Sequence, residues 1–263
     1  MKRLAALVIS AFLGTQITAF PVRTASAAPL PASSTAAVSS QQLSEYAEKI
    51  IFLTNVQRKA NGLEELQVFP LINNAAMKRA AELPSKFDHT RPDGSNCFTV
   101  LAECGIPSYS FVAENIAMGY SSPEAVVRAW MNSTGHRANI LTPRLKYIGV
   151  GVISSGGRYY WVQEFLDSGD SYSGVRDAQV NITKGDVNID GSTDASDASL
   201  VLESYSAVVN GSISLFTRSQ ENAADINSDG TYDASDASQI LSYYAYSVNG
   251  GSMDMESFIR AGL

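Results

Sequence analysis

Asp186-Val187-Asn188-Ile189-Asp190-Gly191-Ser192-Thr193-Asp194-Ala195-Ser196-Asp197 returns 39 residues later as Asp225-Ile226-Asn227-Ser228-Asp229-Gly230-Thr231-Tyr232-Asp233-Ala234-Ser235-Asp236. Each copy places an oxygen-bearing side chain at loop positions 1, 3, 5, 9 and 12, with Gly at position 6. A hard cation takes about six to eight oxygens; alternate loop positions turn them inward, and the Gly allows the tight bend. Four Asp and one Asn in twelve residues repel one another unless a cation lies among them. Two calcium ions are therefore expected. Asp186, Asn188, Asp190, Asp194 and Asp197 would hold one, and Asp225, Asn227, Asp229, Asp233 and Asp236 the other. A solvated acidic linker has no reason to repeat this spacing.

The loops depart from an ordinary EF-hand. Position 12 is Asp rather than the longer Glu, and residues 181–185 before the first loop read as linker rather than helix. The segment after that loop has Ala198, Val201, Leu202 and Tyr205 at helical spacing. This paired loop-helix unit, residues 184–263, resembles a type I dockerin. The resemblance implies a small all-α module that binds a cohesin domain of a scaffoldin. It also implies that loop positions 10 and 11 help select the cohesin. Those positions are Ala195-Ser196 and Ala234-Ser235, the same pair twice, so either half could face the partner.

At the other end, Lys2-Arg3 precedes an apolar run from Leu4 to Phe20, followed by Ala25-Ser26-Ala27-Ala28. Residues 1–28 read as a secretory signal peptide, with residues 29–41 as a disordered Ala/Ser/Pro-rich lead-in. The mature protein is then extracellular and has no membrane span. Charge is uneven. From residue 184 onward there are 12 Asp and Glu against 3 Lys and Arg, whereas the preceding part holds 14 against 16. The acidity belongs to the calcium loops, and no basic cluster points to nucleic acid.

Residues 42–167 carry the larger module, and 168–183 read as a linker. Leu43, Tyr46, Ala47, Ile50, Ile51 and Val56 mark a long helix ending at Asn61-Gly62. Leu71, Ala75, Ala76, Ala80 and Leu83 mark a second, ended by Pro84. Ser122-Pro123-Glu124 starts a third. Ile148, Val150 and Val152 alternate with Gly149 and Gly151, and Tyr160 to Phe165 returns after Ser154-Ser155-Gly156-Gly157, a β-hairpin. Helices on an antiparallel sheet make an α+β or layered α-β-α fold.

Both histidines of the chain lie in this module. Phe87-Asp88-His89-Thr90-Arg91-Pro92-Asp93-Gly94, Ala113-Glu114-Asn115-Ile116-Ala117 and Trp130 to Arg137, followed by Ile148-Gly149-Val150-Gly151, together resemble the CAP superfamily, its short bacterial members above all. The resemblance implies an α-β-α sandwich whose cleft faces two His and two Glu, with zinc on the histidines in some members. His89, Glu114 and His136 carry over. The second acid does not: three residues after Trp130 stands Ser133. The set His89, Glu114 and His136 could hold a catalytic zinc with an open water position, with Glu114 as ligand or base. It could equally be structural, with His89 bonded to Glu114 and His136 anchoring the end of the third helix. Arg91 and Arg137 either bind an acidic ligand or pair with Asp88 or Asp93. Cys97 and Cys104 are the only cysteines. Phe98 to Glu103 reads as a short helix; a bridge would need Cys97 in the loop before it.

Three readings of function stay open, one of them that the dockerin is the point of the molecule and the CAP domain a stable spacer. The first is a dockerin-tethered CAP module on a cellulosome-type complex that binds an unidentified ligand or assists polysaccharide breakdown. The second is a metal-dependent hydrolase using the His-Glu-His cleft.

Overall fold

The computed structural model describes residues 39–262, so the signal-peptide reading lies outside the described residues. Helix α1 (Ser40–Lys59) begins inside the stretch read as lead-in, because Ser39 caps it: the Ser39 hydroxyl accepts a hydrogen bond from the Gln42 N–H. Helix α2 (Pro70–Glu82) starts on Pro70, whose missing N–H costs nothing in a first turn. Its buried stripe is Ile72, Ala75, Ala76, Arg79 and Ala80. The expectation of Leu71 on this face is corrected: Leu71 is 37% exposed and Ile72 takes the core position.

Three strands form one antiparallel sheet: β1 (Phe111–Met118), β2 (Tyr147–Ser155) and β3 (Arg158–Asp167), in the order β1-β3-β2. The sheet is buried on both faces. On β3, Trp161 and Gln163 meet α1, where Trp161 stacks on Tyr46 and the Gln163 amide donates to the Thr54 hydroxyl. Val162 turns the other way, into a cluster with Ala76 and Ala80 of α2. The result is an α-β-α sandwich, with α4 (Pro123–Asn132) and the short helix α3 (Thr99–Glu103) completing the layers.

The glycines of β2 set how closely α2 can pack. A Cβ on Gly151 would lie 2.1 Å from the Ala76 carbonyl oxygen, and one on Gly149 would lie 2.3 Å from that of Ile72. Both obstacles are backbone, so no rotamer change relieves them. This fixes the height of α2 over the sheet and hence the place of Arg79.

Ser133 is extended and separates α4 from another helix, α5 (Thr134–Ile140). His136 therefore sits within α5 rather than at the end of the third helix, as the sequence had suggested. Arg58, fully buried on α1, fastens the end of α5 by donating to the Ile140 and Thr142 carbonyls at 2.8 and 2.9 Å. Residues 168–183 lie on the sandwich. Tyr172 stacks on Phe69 with ring centroids 4.0 Å apart, the Arg176 and Val68 main chains pair, and Ala178, Val180 and Ile182 join the larger core.

The C-terminal part has four helices: α6 (Ala195–Val209), α7 (Arg218–Ala224), α8 (Ala234–Val248) and α9 (Met255–Ala261). Its core repeats as the sequence does. Val187, Ala198 and Val201 of the first copy match Ile226, Ala237 and Ile240 of the second, and Met255 and Phe258 close the cluster. Of the four residues at helical spacing on α6, Ala198 and Val201 are buried, whereas Leu202 and Tyr205 are exposed. Among the described residues no helix is long and apolar enough to cross a membrane.

Replacing Gly151 by Ala should destabilise the sandwich by about 3 kcal/mol, since the helix must lift off the sheet. Urea denaturation checks this, and an unchanged midpoint would show that α2 is free to move.

Candidate functional site

The sequence of β1 alternates so that Asn115 turns toward α5 and Glu114 toward α2. Glu114 has a buried side chain and is the hub of the site. Arg79 of α2 grips it with two hydrogen bonds, Nε to Oε2 at 2.7 Å and Nη2 to Oε1 at 3.3 Å. The same guanidinium donates to Glu82 Oε2 at 2.7 Å and to the Asp88 carbonyl at 3.0 Å. That last bond fixes the loop carrying His89, whose Nδ1 lies 2.7 Å from Glu114 Oε1. Burial alone would raise the Glu114 pKa, but hydrogen bonds from His89 and Arg79 outweigh it and hold the carboxyl below its usual range. The hydrogen bond to Glu114 raises the His89 pKa against the opposing effect of burial.

His136 is less central than the sequence suggested. Its backbone carbonyl accepts from the Asn115 amide at 3.2 Å, and burial followed by the His89 charge lowers its pKa. Asn139, one turn further along α5, reaches the hub instead. Its amide donates to the Glu114 carbonyl at 3.2 Å and to Asn115 Oδ1 at 2.9 Å. Asn115 in turn donates to Gln163, which continues to Thr54. A chain of buried amides thus locks α5, β1, β3 and α1 together.

The cleft holds about 330 Å³ and is lined by His89, Asn96, Cys97, Phe111, Glu114 and Asn139. A larger groove of about 480 Å³ lies along α1 and the start of α4, but it brings no His or Cys together. In the cleft, one ligand atom each from His89, Cys97 and Glu114 lies within 4.8 Å of the others. His136 is not in that group. Cys97 stands in the loop before α3, and both Cys97 and Cys104 are free thiols. Burial, then the Glu114 carboxylate, push the Cys97 thiol up to about 12, which rules against a free thiolate nucleophile.

Arg79 and Glu164 are the functional residues that sequence reasoning missed. Glu164 faces Glu114 across the β1–β3 register and is fully buried, with neither carboxyl oxygen hydrogen-bonded to another described residue. Burial, then the Glu114 charge, push its pKa well above the usual carboxylate range. The module therefore does hold a second acid beside Glu114, supplied by β3 rather than by the helix after Trp130. Its signal lay in the strand alternation, which puts Val162 and Glu164 on one buried face. The signal for Arg79 was its 3–4 spacing from Ala75 and Ala76. Arg91 pairs with Glu82 at 2.7 Å and with Glu103. The expected partners Asp88 and Asp93 instead accept from the Thr90 and Ser95 backbones.

The acidic loops are built alike. Asp186 accepts from the Asp190 and Gly191 N–H groups, and Asp225 from those of Asp229 and Gly230. Asp197 and Asp236, both fully buried, reach back to loop backbone N–H groups while capping α6 and α8. Position 4 is left-handed in both copies, at Ile189 (φ 64°) and Ser228 (φ 60°). For the β-branched Ile189 this costs about 1–3 kcal/mol, and its recurrence shows that loop shape overrides local preference. An all-oxygen donor set in so tight a loop fits calcium and suits softer metals poorly.

Glu164→Gln should stabilise the protein at neutral pH. A buried acid with a raised pKa contributes stability below the ordinary carboxylate range, and that stability is lost as pH rises toward its native pKa. The amide should therefore gain on the order of 1 kcal/mol at pH 7, a gain that shrinks as pH falls toward 4.5. Thermal melts of both forms across this range check it; a constant difference would mean that Glu164 does not titrate differently in the fold.

The family model of the cysteine-rich secretory protein family, CAP, matches residues 51–165, and that of the dockerin type I domain matches residues 184–243. The protein YkwD of Bacillus subtilis is 41% identical over 147 residues, covering 54% of this chain and 56% of its own length. The membrane protein YlbC of Bacillus subtilis is 31% identical over 121 residues, covering 45% of this chain and 34% of its own. The chain thus spans about half the length of the first relative and a third of the second. Among solved structures, an extracellular protein containing a SCP domain from Bacillus anthracis superposes with a TM-score of 0.46 at 23% identity, covering 51% of this chain and 45% of that one.

Proposed function

Because the chain carries a CAP domain over residues 51–165 and a type I dockerin domain over residues 184–243, we propose that it is an extracellular accessory protein, tethered through its dockerin to a cohesin of a scaffoldin on a cellulosome-type complex. The CAP module would then bind a ligand in the breakdown of plant-wall polysaccharide. One observation carries the tether: the dockerin exposes the same apolar stripe twice. Leu202, Tyr205 and Val209 on α6 recur as Leu241, Tyr244 and Val248 on α8, all exposed. Each stripe runs on from an exposed pair, Ala195-Ser196 or Ala234-Ser235, at the start of its helix. Large apolar side chains in a contiguous exposed row mark a protein-binding surface. The duplicate rows support docking in either of two orientations.

Calcium would be held by the five side chains of each loop named above, and it supplies the positive charge that clustered carboxylates need. The protein's own residues do the rest. Asp194 with Asp197 and Asp233 with Asp236 form reciprocal caps on α6 and α8, so a filled loop fixes the start of each docking helix.

For the CAP module, binding is favoured over hydrolysis. Glu114 is already engaged by Arg79 and His89 and is held ionised below its usual range, which suits a structural anion better than a general base poised near neutrality. A polysaccharide or cell-wall ligand is the class we favour, in keeping with the cargo that dockerins carry.

Calorimetry of the mature chain against a panel of type I cohesins tests the tether. Binding should need calcium and vanish with chelator. Leu202→Asp alone should cost little because the second face remains, whereas adding Leu241→Asp should weaken binding by roughly 30-fold or more. Chelator-insensitive binding, or full loss in the single variant, would overturn the two-faced reading. In the same assay Asp186→Ala should weaken calcium at the first loop and leave the second partly competent; equal loss in both loops would mean that they fold as one unit.

A further inference from the structure

We propose that helix α7 couples the second acidic loop to the CAP module, so that Glu65 and Asp177, which lie outside the dockerin, raise the calcium affinity of that loop. The start of α7 is clasped from the CAP side. Glu65 Oε1 accepts a hydrogen bond from the Arg218 N–H at 2.8 Å. The Arg218 guanidinium lies 3.5 Å from Asp177 Oδ2, and Gln67 donates to Asp177 Oδ1 at 3.1 Å. The two acids come from different segments, the connection between α1 and α2 and the stretch 168–183. Ile182, packed against both hydrophobic cores, is a further link between the modules.

The other end of α7 is the second loop. The helix stops at Ala224, and Asp225, whose N–H still donates to the Glu221 carbonyl at 3.0 Å, is loop position 1. No residue separates this helix from the first expected calcium ligand. Between its ends α7 is held by the dockerin core. Ala223 and Ala224 are buried, Gln220 donates to the Val187 carbonyl at 2.9 Å, and the Ala223 carbonyl accepts from the Gly185 N–H. Movement at one end is therefore passed to the other. A helix of seven residues is about 10 Å long and too short to persist by itself in water, so its order is supplied from its two ends. An empty loop works against that order, because Asp225, Asp229, Asp233 and Asp236 repel one another; a filled loop favours it. Two contacts that favour the same ordered helix stabilise each other, and linkage requires the effect to be reciprocal. The first loop has no helix before it, so the CAP module reaches it less directly. This inference rests on the calcium reading of the loops and not on cohesin binding.

The test is a calcium titration of the full-length mature protein by calorimetry. Hydrogen exchange at limiting calcium, read on peptides 186–197 and 225–236, assigns each step to its loop. Glu65→Ala should weaken the second-loop step roughly fivefold or more and speed exchange in 225–236 more than in 186–197. Asp177→Ala should act in the same direction. Glu65→Gln, which keeps an oxygen for the Arg218 N–H, should retain most of the affinity. Glu64→Ala removes a neighbouring exposed charge and should change neither step. Full affinity in a folded Glu65→Ala, equal weakening in Glu64→Ala, or a loss that falls equally on both loops would overturn the coupling while leaving the calcium reading intact. A wild type that binds no calcium would overturn both. Should Glu65→Ala fail to fold, Arg218→Pro tests the same contact. Proline suits the first position of a helix but lacks the N–H that Glu65 accepts, so second-loop affinity should again fall, and an unchanged affinity overturns the proposal.

Discussion

The Arg79 guanidinium, buried and making four hydrogen bonds, organises the larger module. It binds Glu114 on the sheet, Glu82 on its own helix and the Asp88 carbonyl in the following loop. Burial disfavours its charge, yet the two carboxylates outweigh that cost and hold it protonated. A charge enclosed this way is strongly directional. Removing either partner strands the other in a dry interior, at a cost of about 3–5 kcal/mol. Helix, loop and strand are therefore registered to one another by electrostatics, while Gly149 and Gly151 set the distance at which this happens. The position of His89 follows from both.

Two different kinds of order meet in this chain. The CAP module is held by long-range contacts, including amides that pass from Thr54 through Gln163 and Asn115 to Asn139. The dockerin is held by local order: twelve-residue loops that cap their own helices, around a core that is small and repeated. The first kind resists loss of any single ion. The second crowds carboxylates that a bound cation would quiet, so the two modules should respond differently to chelation.

That difference also decides what could be read from sequence. The acidic loops were legible as repeated loop-helix units, because their acidic side chains lie within twelve residues and both copies cap the helix that follows. The hairpin, α1 and α2 were legible from periodicity, and α4 from its Ser122-Pro123-Glu124 start. The site was only half legible. His89 and Glu114 were found and do meet at 2.7 Å, but Arg79 and Glu164 join them through helix packing and strand register: the local spacing gives their buried face, not their partner. His136 was misplaced because Ser133 was read only as a missing acid, when its extended backbone also ends one helix and begins another. Leu202 and Tyr205 fit a helical period, yet they belong to its outer side; periodicity gives the stripe without saying which way it faces.

Residues 168–183 have the composition of a flexible connector, but Tyr172, Arg176 and Val180 bind them down to the sandwich, and Ile182 packs against both cores. Little free chain is left between the modules, and Glu65 of the first accepts a hydrogen bond from the Arg218 N–H of the second at 2.8 Å. A tether of this kind has almost no swept volume. Where a long linker would let cargo search around its anchor, here the cleft would be carried at a set bearing, and changing that bearing would mean re-seating the whole molecule.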